Sequence, residues 1–150
     1  MNDRYLFRGK RKDNGEWIEG NLINCDFFNN DGFPIFYILD TDNIEYDCWE
    51  DIAVEIGYLE VIPETVGQCT GLKDKNGKLI YEGDVIEAYD EIYVNGFGEV
   101  KGKVFFNDGA FAIDVEDVGY IPLYAYGEEN IEVIDNIHGG INDSKNSEKD

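Results

Sequence analysis

His138 and the three cysteines Cys25, Cys48 and Cys69 are the residues best suited to acid–base or nucleophilic chemistry, and none has the company such chemistry needs. His138 closes a predicted strand with no partner beside it in sequence, so a buried or edge imidazole is expected in place of a general base. The cysteines are odd in number, widely spaced and outside any Cys-x-x-Cys pattern, which reads as reduced, structural thiols. There is no Gly-x-Ser-x-Gly elbow, P-loop or His-Glu-x-x-His. Gly96-Phe97-Gly98 runs on into Glu99, Val100 and Lys101, so the dinucleotide fingerprint is not completed. Carboxylates are the remaining resource. Asp40-Thr41-Asp42-Asn43 begins like a calcium loop, but Ile44 takes the next ligand position and no glycine follows. Asp47, Glu50 and Asp51 could bind a hard cation only if a turn gathered them. No metal or organic cofactor is expected.

Charge sorts the chain more sharply than any catalytic motif. The formal net charge is -21 over 150 residues. Arg4, Arg8, Lys10, Arg11 and Lys12 fall in the first twelve positions, whereas Asp13 to Leu72 contains fourteen Asp or Glu and no Lys or Arg. Val104 to Ser144 also lacks Lys and Arg. So acidic a surface repels phosphate backbones, which disfavours direct nucleic-acid binding. The basic segment could contact phosphates, or could bind the acidic body of the same or a neighbouring chain. The abundance of carboxylates favours the latter, and a head-to-tail homo-oligomer would use it.

A second basic group, Lys73, Lys75 and Lys78, lies in Gly71 to Asp84, a stretch of turn chemistry that makes the best candidate interaction surface. Its architectural reading is stronger: Gly71, Gly77 and Gly83 meet backbone demands and the lysines keep an edge soluble. Asp84, after Tyr81-Glu82-Gly83, could serve in a site, but Gly-Asp before Val-Ile more commonly fixes a strand entry through an Asx-type bond.

The elements that must position these residues are short β-branched and aromatic runs separated by Gly, Asn and Asp, the pattern of a mainly β domain. Strands are predicted near Tyr5–Arg8, Trp17–Cys25, Pro34–Leu39, Ile44–Trp49, Tyr58–Ile62, Gln68–Leu72, Asp84–Tyr89, Lys101–Asn107, Ala110–Val115 and Glu132–His138. Asp51–Ile56 and Pro122–Tyr126 are at most short helical turns. Asp108-Gly109 supplies the positive backbone angles of a two-residue hairpin turn, pairing Asn107 with Ala110, Phe106 with Phe111, Phe105 with Ala112 and Val104 with Ile113. That register puts Val104, Phe106, Phe111 and Ile113 on the expected core face. Asn76-Gly77 and Glu82-Gly83-Asp84 are further turns, and tight turns between short strands suggest a partly open, barrel-like sheet. Residues 1–138 read as one domain, large enough to bury a core without disulfides or metal, and 139–150 as a disordered tail. No apolar run is long enough to span a bilayer and no apolar signal core follows the first basic residues, so a soluble, cytoplasmic protein is expected.

Gln68 to Asp84 also carries a resemblance. Thr70-Gly71-Leu72-Lys73-Asp74-Lys75-Asn76-Gly77, followed by Ile80-Tyr81-Glu82-Gly83-Asp84 and Val85-Ile86, is similar to the signature of the YopX family of small phage and prophage proteins. Phe7-Arg8-Gly9-Lys10, Gly15-Glu16-Trp17 and Gly20-Asn21-Leu22-Ile23 resemble the family's opening. Pro63 to Gln68 resembles its approach to the signature, and Glu132 to His138 its closing strand. Asp26–Tyr58 and Ala88–Val100 match no family pattern. Relatives often carry an aromatic residue at the position of Cys69, which implies that its thiol is not a required nucleophile. The family has no assigned biochemical role, so the resemblance implies a barrel-like β fold and leaves activity open.

Together these features point to a non-enzymatic accessory protein that acts through protein contacts with its own copies or with a host or phage protein. Two alternatives stand beside it: an acidic decoy that imitates DNA to occupy a host DNA-binding protein, and an enzyme with a carboxylate-based metal site. A decoy needs its carboxylates on one continuous face.

Overall fold

The computed structural model of the chain describes residues 3–28, 32, 34–40, 58–89 and 98–140. The chain divides into two compact units, Arg4–Gln68 and Cys69–Asp150, the latter with Met1–Asp3. Among the described residues every pairing is antiparallel, only single 3-10 turns interrupt the strands, and neither sheet closes into a barrel. The mainly β reading holds, and the partly open sheet expected from the turns is seen as two sheets that stay open.

In the N-terminal unit, β1 (Phe7–Lys10), β2 (Trp17–Phe28), β3 (Pro34–Leu39) and β4 (Tyr58–Val61) follow one another in pairing order. The first residues of β5 (Gly67–Lys73) add to the far side of β1, with Phe7 opposite Gln68 and Arg8 opposite Gly67. The β1–β2 turn is held by Arg11 N–H to Glu16 O at 2.9 Å and by Asn14 Oδ1 accepting Glu16 N–H at 2.9 Å. Past β1 the chain bends toward β4: Ile62 N–H donates to Lys10 O at 2.8 Å and Lys12 N–H to Glu60 O at 2.9 Å. Ile38 and Val61 are the apolar residues this leaves fully buried. Close backbone approach does the rest, since a Cβ on Gly20 would overlap the Leu39 carbonyl oxygen.

The C-terminal unit has a larger core. The remainder of β5 pairs with β6 (Leu79–Tyr81). β7 (Asp84–Tyr89), β8 (Glu99–Asn107), β9 (Ala110–Val115), β10 (Gly119–Pro122) and β11 (Ile131–Asn136) form a five-stranded sheet in the order β10-β9-β8-β7-β11. Ile80, Ile86, Val104, Ile113, Leu123 and Ile131 are buried to within 2% exposure at the centre of its apolar cluster. The β8–β9 register is the expected one through all four pairs from Asn107–Ala110 to Val104–Ile113, with Asp108 at φ 49° and Gly109 at φ 81°. Val104 and Ile113 are buried and Phe111 packs on the cluster. Phe106 departs from the expectation: it lies beyond the core at the tip of the hairpin, 54% exposed, edge-to-face on Phe111 at 5.2 Å.

Two strands escaped the sequence reading. β6 is three residues long, and β10 sets Tyr120-Ile121 between Gly119 and Pro122, residues that depress strand propensity. β11 ends at Asn136, two residues before its predicted end, because the Asn136 side chain accepts His138 N–H at 2.8 Å and turns the chain. Leu123–Ala125 is a 3-10 turn within the predicted helical stretch. The predicted strand Ile44–Trp49, the turn Asp51–Ile56, Cys48, residues 41–43, Gly96-Phe97 and the tail from 141 lie outside the described residues.

Candidate interaction surfaces

The signature segment is a hydrogen-bonding hub built on two buried carboxylates. Asp74, 4% exposed, accepts three backbone N–H groups: Asn76 and Lys78 on Oδ1 at 2.9 Å each, and Val133 of β11 on Oδ2 at 3.1 Å. Asp84, fully buried, accepts Tyr81 N–H on Oδ2 at 2.8 Å and the Asn136 side-chain amide on Oδ1 at 3.2 Å. A buried carboxylate is tolerated where hydrogen bonds replace its hydration. The expected Asx-type bond at Asp84 is present in purpose, but it reaches back to Tyr81, closing the Glu82-Gly83 turn from behind. Gly83 adds two backbone bonds, donating to Val104 O at 2.8 Å and accepting Ile137 N–H at 2.9 Å.

Around this hub the positions named from sequence divide. Tyr81, Gly83 and Asp84 are buried, Glu82 and Lys78 half-buried, and Gly71, Lys73, Lys75 and Gly77 exposed. Gly71 and Gly77 have φ of 81° and 79°, so both turns need glycine's freedom. Lys75 Nζ meets Glu132 Oε2 at 2.6 Å, and that hydrogen bond raises its pKa above the ordinary lysine value. Lys73 N–H donates to Glu128 Oε1 at 3.3 Å. Lys75 thus pairs its ammonium with a carboxylate of its own unit, whereas Lys73 and Lys78 meet Glu128 and Asp74 through their backbone N–H groups.

The N-terminal cations are similarly engaged. Arg8 is 4% exposed, with its guanidinium 4.7 Å from the Trp17 ring centre, and Lys10 Nζ lies 5.4 Å from the same centre. Arg8 is thus packed on an indole face and does not belong to an open surface. Arg11 forms a forked pair with Asp13 at 2.7 and 3.0 Å, which raises the arginine pKa and lowers that of the carboxyl. Lys12 Nζ meets Glu60 at 2.9 Å. Arg4 remains exposed, its guanidinium 5.9 Å from the Tyr5 ring centre.

The outward face of the five-stranded sheet is the surface the sequence reading missed. Lys101, Lys103 and Phe105 alternate along β8 opposite to the core side of Val104. Lys101 stands opposite Glu87, and Lys103 lies 3.7 Å from Asp114. Phe105 and Tyr120 meet edge-to-face with centroids 4.9 Å apart, over the buried Ala112. Tyr120 is 64% exposed and Tyr124, just beyond β10, 76%. Period-two alternation was the available signal, since the face that buries Val104 must turn Lys101, Lys103 and Phe105 outward. On this face lysines are interleaved with carboxylates.

Cys69 is fully buried, with Sγ accepting Gly71 N–H at 3.5 Å, and Cys25 is half-buried. His138 is half-buried in the turn after β11. Among the described residues no three His, Cys, Asp or Glu gather as a metal ion would require, and no helix is long and apolar enough to cross a membrane.

Open antiparallel sheets, a signature turn organised by buried aspartates and an aromatic outer face define a small mainly β protein. The chain matches the YopX protein family over residues 6–140 and belongs to that family. It is similar to the crystal structure of protein EF1440 from Enterococcus faecalis, with 26% identity, 88% of this chain and 92% of that chain covered, and a TM-score of 0.50. No curated protein matches the chain.

Proposed function

We propose that the protein is a non-enzymatic accessory protein of phage or prophage origin that acts in the host cytoplasm by binding another protein. The observation that carries this reading is the outer face of the C-terminal unit, where Tyr120 stands exposed against Phe105, with the exposed Tyr124 four residues further along the chain. Large aromatic side chains held rigidly in water are the commonest anchors of protein interfaces. The two signature carboxylates that might have served a reaction, Asp74 and Asp84, are committed to five hydrogen bonds inside the fold. Self-association through the basic segment is the weaker form of the proposal, because Arg11 and Lys12 meet Asp13 and Glu60 of their own chain. The decoy alternative is also less well supported, given the lysines set among the carboxylates of the sheet face.

Affinity capture from a bacterial lysate, run in parallel with the wild type and a Tyr120→Ser, Tyr124→Ser double variant, tests this. A protein retained by the first and lost by the second is the expected result. Identical capture by both would remove the aromatic face from the proposal. Light scattering at high concentration in low salt separates self-association from binding to another protein.

A further inference from the structure

The sheet face that carries Tyr120 has a chemical bias that narrows its partner, an inference that rests on the protein-binding reading above. Phe105 and Tyr120 contact each other at 62° between ring planes, and Phe105 stands opposite the buried Ala112, so two aromatic rings are already paired on this face. Pro122 extends it along β10, opposite Ala112. Next to it, Asp114 stands opposite Tyr120, and the turn that enters β10 carries the exposed Glu116 and Asp117. Lys103 lies 3.7 Å from Asp114, and Lys101 stands across the strands from Glu87, so each neighbouring cation has a carboxylate on the facing strand. With no Lys or Arg from Val104 to Ser144, Glu116 and Asp117 leave this end of the face with surplus negative charge.

We propose that this platform docks an extended, Arg- or Lys-rich segment of another protein, with an apolar or proline residue on Phe105 and Tyr120 and a cation directed to Glu116, Asp117 and the tyrosine ring. Aromatic grooves accept extended proline-containing segments because those segments lose little entropy on binding. A cation gains both from the carboxylates and from the π face. A single-stranded nucleic acid would stack on the same rings, but its phosphates would meet the acidic turn. A second copy of the chain is a poor occupant, since Arg8 is buried and Arg11 and Lys12 are paired within the N-terminal unit.

Fluorescence anisotropy with a labelled peptide alternating arginine and proline tests the proposal, using the full chain. Saturable binding is expected, with a matched glutamate–proline peptide and an oligothymidylate not binding. Tyr120→Ser should weaken binding at least about fivefold, the scale of a central interface residue. Because that substitution leaves the net charge unchanged, the loss separates the platform from diffuse attraction to an acidic protein. Glu116→Gln with Asp117→Asn should weaken the arginine peptide and flatten its salt dependence. Unaltered thermal unfolding of each variant shows that folding is not the cause. Binding indifferent to Tyr120, or equal binding of the glutamate peptide or of the oligonucleotide, overturns the proposal, as does a dimer abolished by Tyr120→Ser. If lysate capture still finds a Tyr120-dependent protein while the arginine peptide fails to bind, the basic class is wrong and the protein-binding reading stands.

Discussion

The two units of this chain solve the same problem with different materials. The C-terminal unit buries an apolar cluster that runs from Ile80 to Ile131 and sets two aspartates beside it as hydrogen-bond hubs. The N-terminal unit, among its described residues, fully buries only Ile38 and Val61 of its apolar side chains. It relies on close backbone approach at Gly20, on the Thr65 hydroxyl that donates to Ile62 O at 2.6 Å and accepts Lys10 N–H at 2.9 Å, and on Arg8 laid over Trp17. A turn-rich β pattern therefore does not dictate one mode of stabilisation. Where apolar residues alternate on the facing side of several adjacent strands, burial dominates; where they do not, backbone and polar contacts carry more of the load.

The largest effect should come from the cluster itself. Ile113→Ala is expected to destabilise the C-terminal unit by about 3–5 kcal/mol, toward the upper end for a fully buried isoleucine, because a dense surround cannot collapse into the vacated space. Ile38→Ala should cost less, about 2 kcal/mol, in a thinner core that relaxes more readily. Urea unfolding of both variants, with hydrogen exchange to assign the loss to a unit, checks the difference. Equal costs would break the comparison.

Next in size is Asp84→Ala, which leaves Tyr81 N–H and the Asn136 amide without an acceptor in a fully buried position. A loss of about 2–4 kcal/mol is expected, since each stranded buried donor costs about 1–3 kcal/mol. Asp84→Asn, which keeps one acceptor oxygen, should recover part of it. A melting temperature unchanged in the alanine variant would show that the hub is not structural.

Gly109→Val should cost on the order of 1 kcal/mol or more, through backbone strain alone. Gly109 lies at φ 81° with nothing within 4 Å of where a Cβ would stand. Gly109→Ala should fall between glycine and valine, and a valine variant as stable as the parent would remove the hairpin argument.

The smallest effect belongs to the N-terminal unit's exposed pair. The Asp13 pKa is lowered chiefly by its hydrogen bond to Arg11, so any stability from this pair is present above the unfolded aspartate pKa. It is lost as pH falls through the depressed folded value. An NMR titration should find the Asp13 midpoint below the ordinary aspartate value, returning toward it in Arg11→Gln, with almost no change in unfolding free energy. Solvent screens an exposed pair of this kind, so its contribution to stability is small.

What the sequence discloses depends on whether the information is local. The Asp108-Gly109 turn states its own register, and four residue pairs follow from it. Pro34–Leu39, Asp84–Tyr89 and Ala110–Val115 are bounded by their own composition. The fate of Asp74 could not be read that way, because its third partner, Val133, is 59 positions distant. Phe106 failed for a related reason: alternation fixes which face a residue occupies, but not how far along that face the core extends. The outer face was legible in principle, as the complement of the core face on β8. The contact of Phe105 with Tyr120 was not, since it depends on β10, a strand bracketed by glycine and proline.

Asp74 and Asp84 share a property that bears on how the chain is made. Each bonds a group close by in sequence and one in β11, separated by 59 and 52 positions respectively. During synthesis the local halves of both hubs can form as soon as the signature turns emerge, whereas their remaining oxygens must wait until β11 has been translated. Both signature aspartates therefore tie the segment from Asp74 to Asp84 to the last strand, and neither hub is complete without β11.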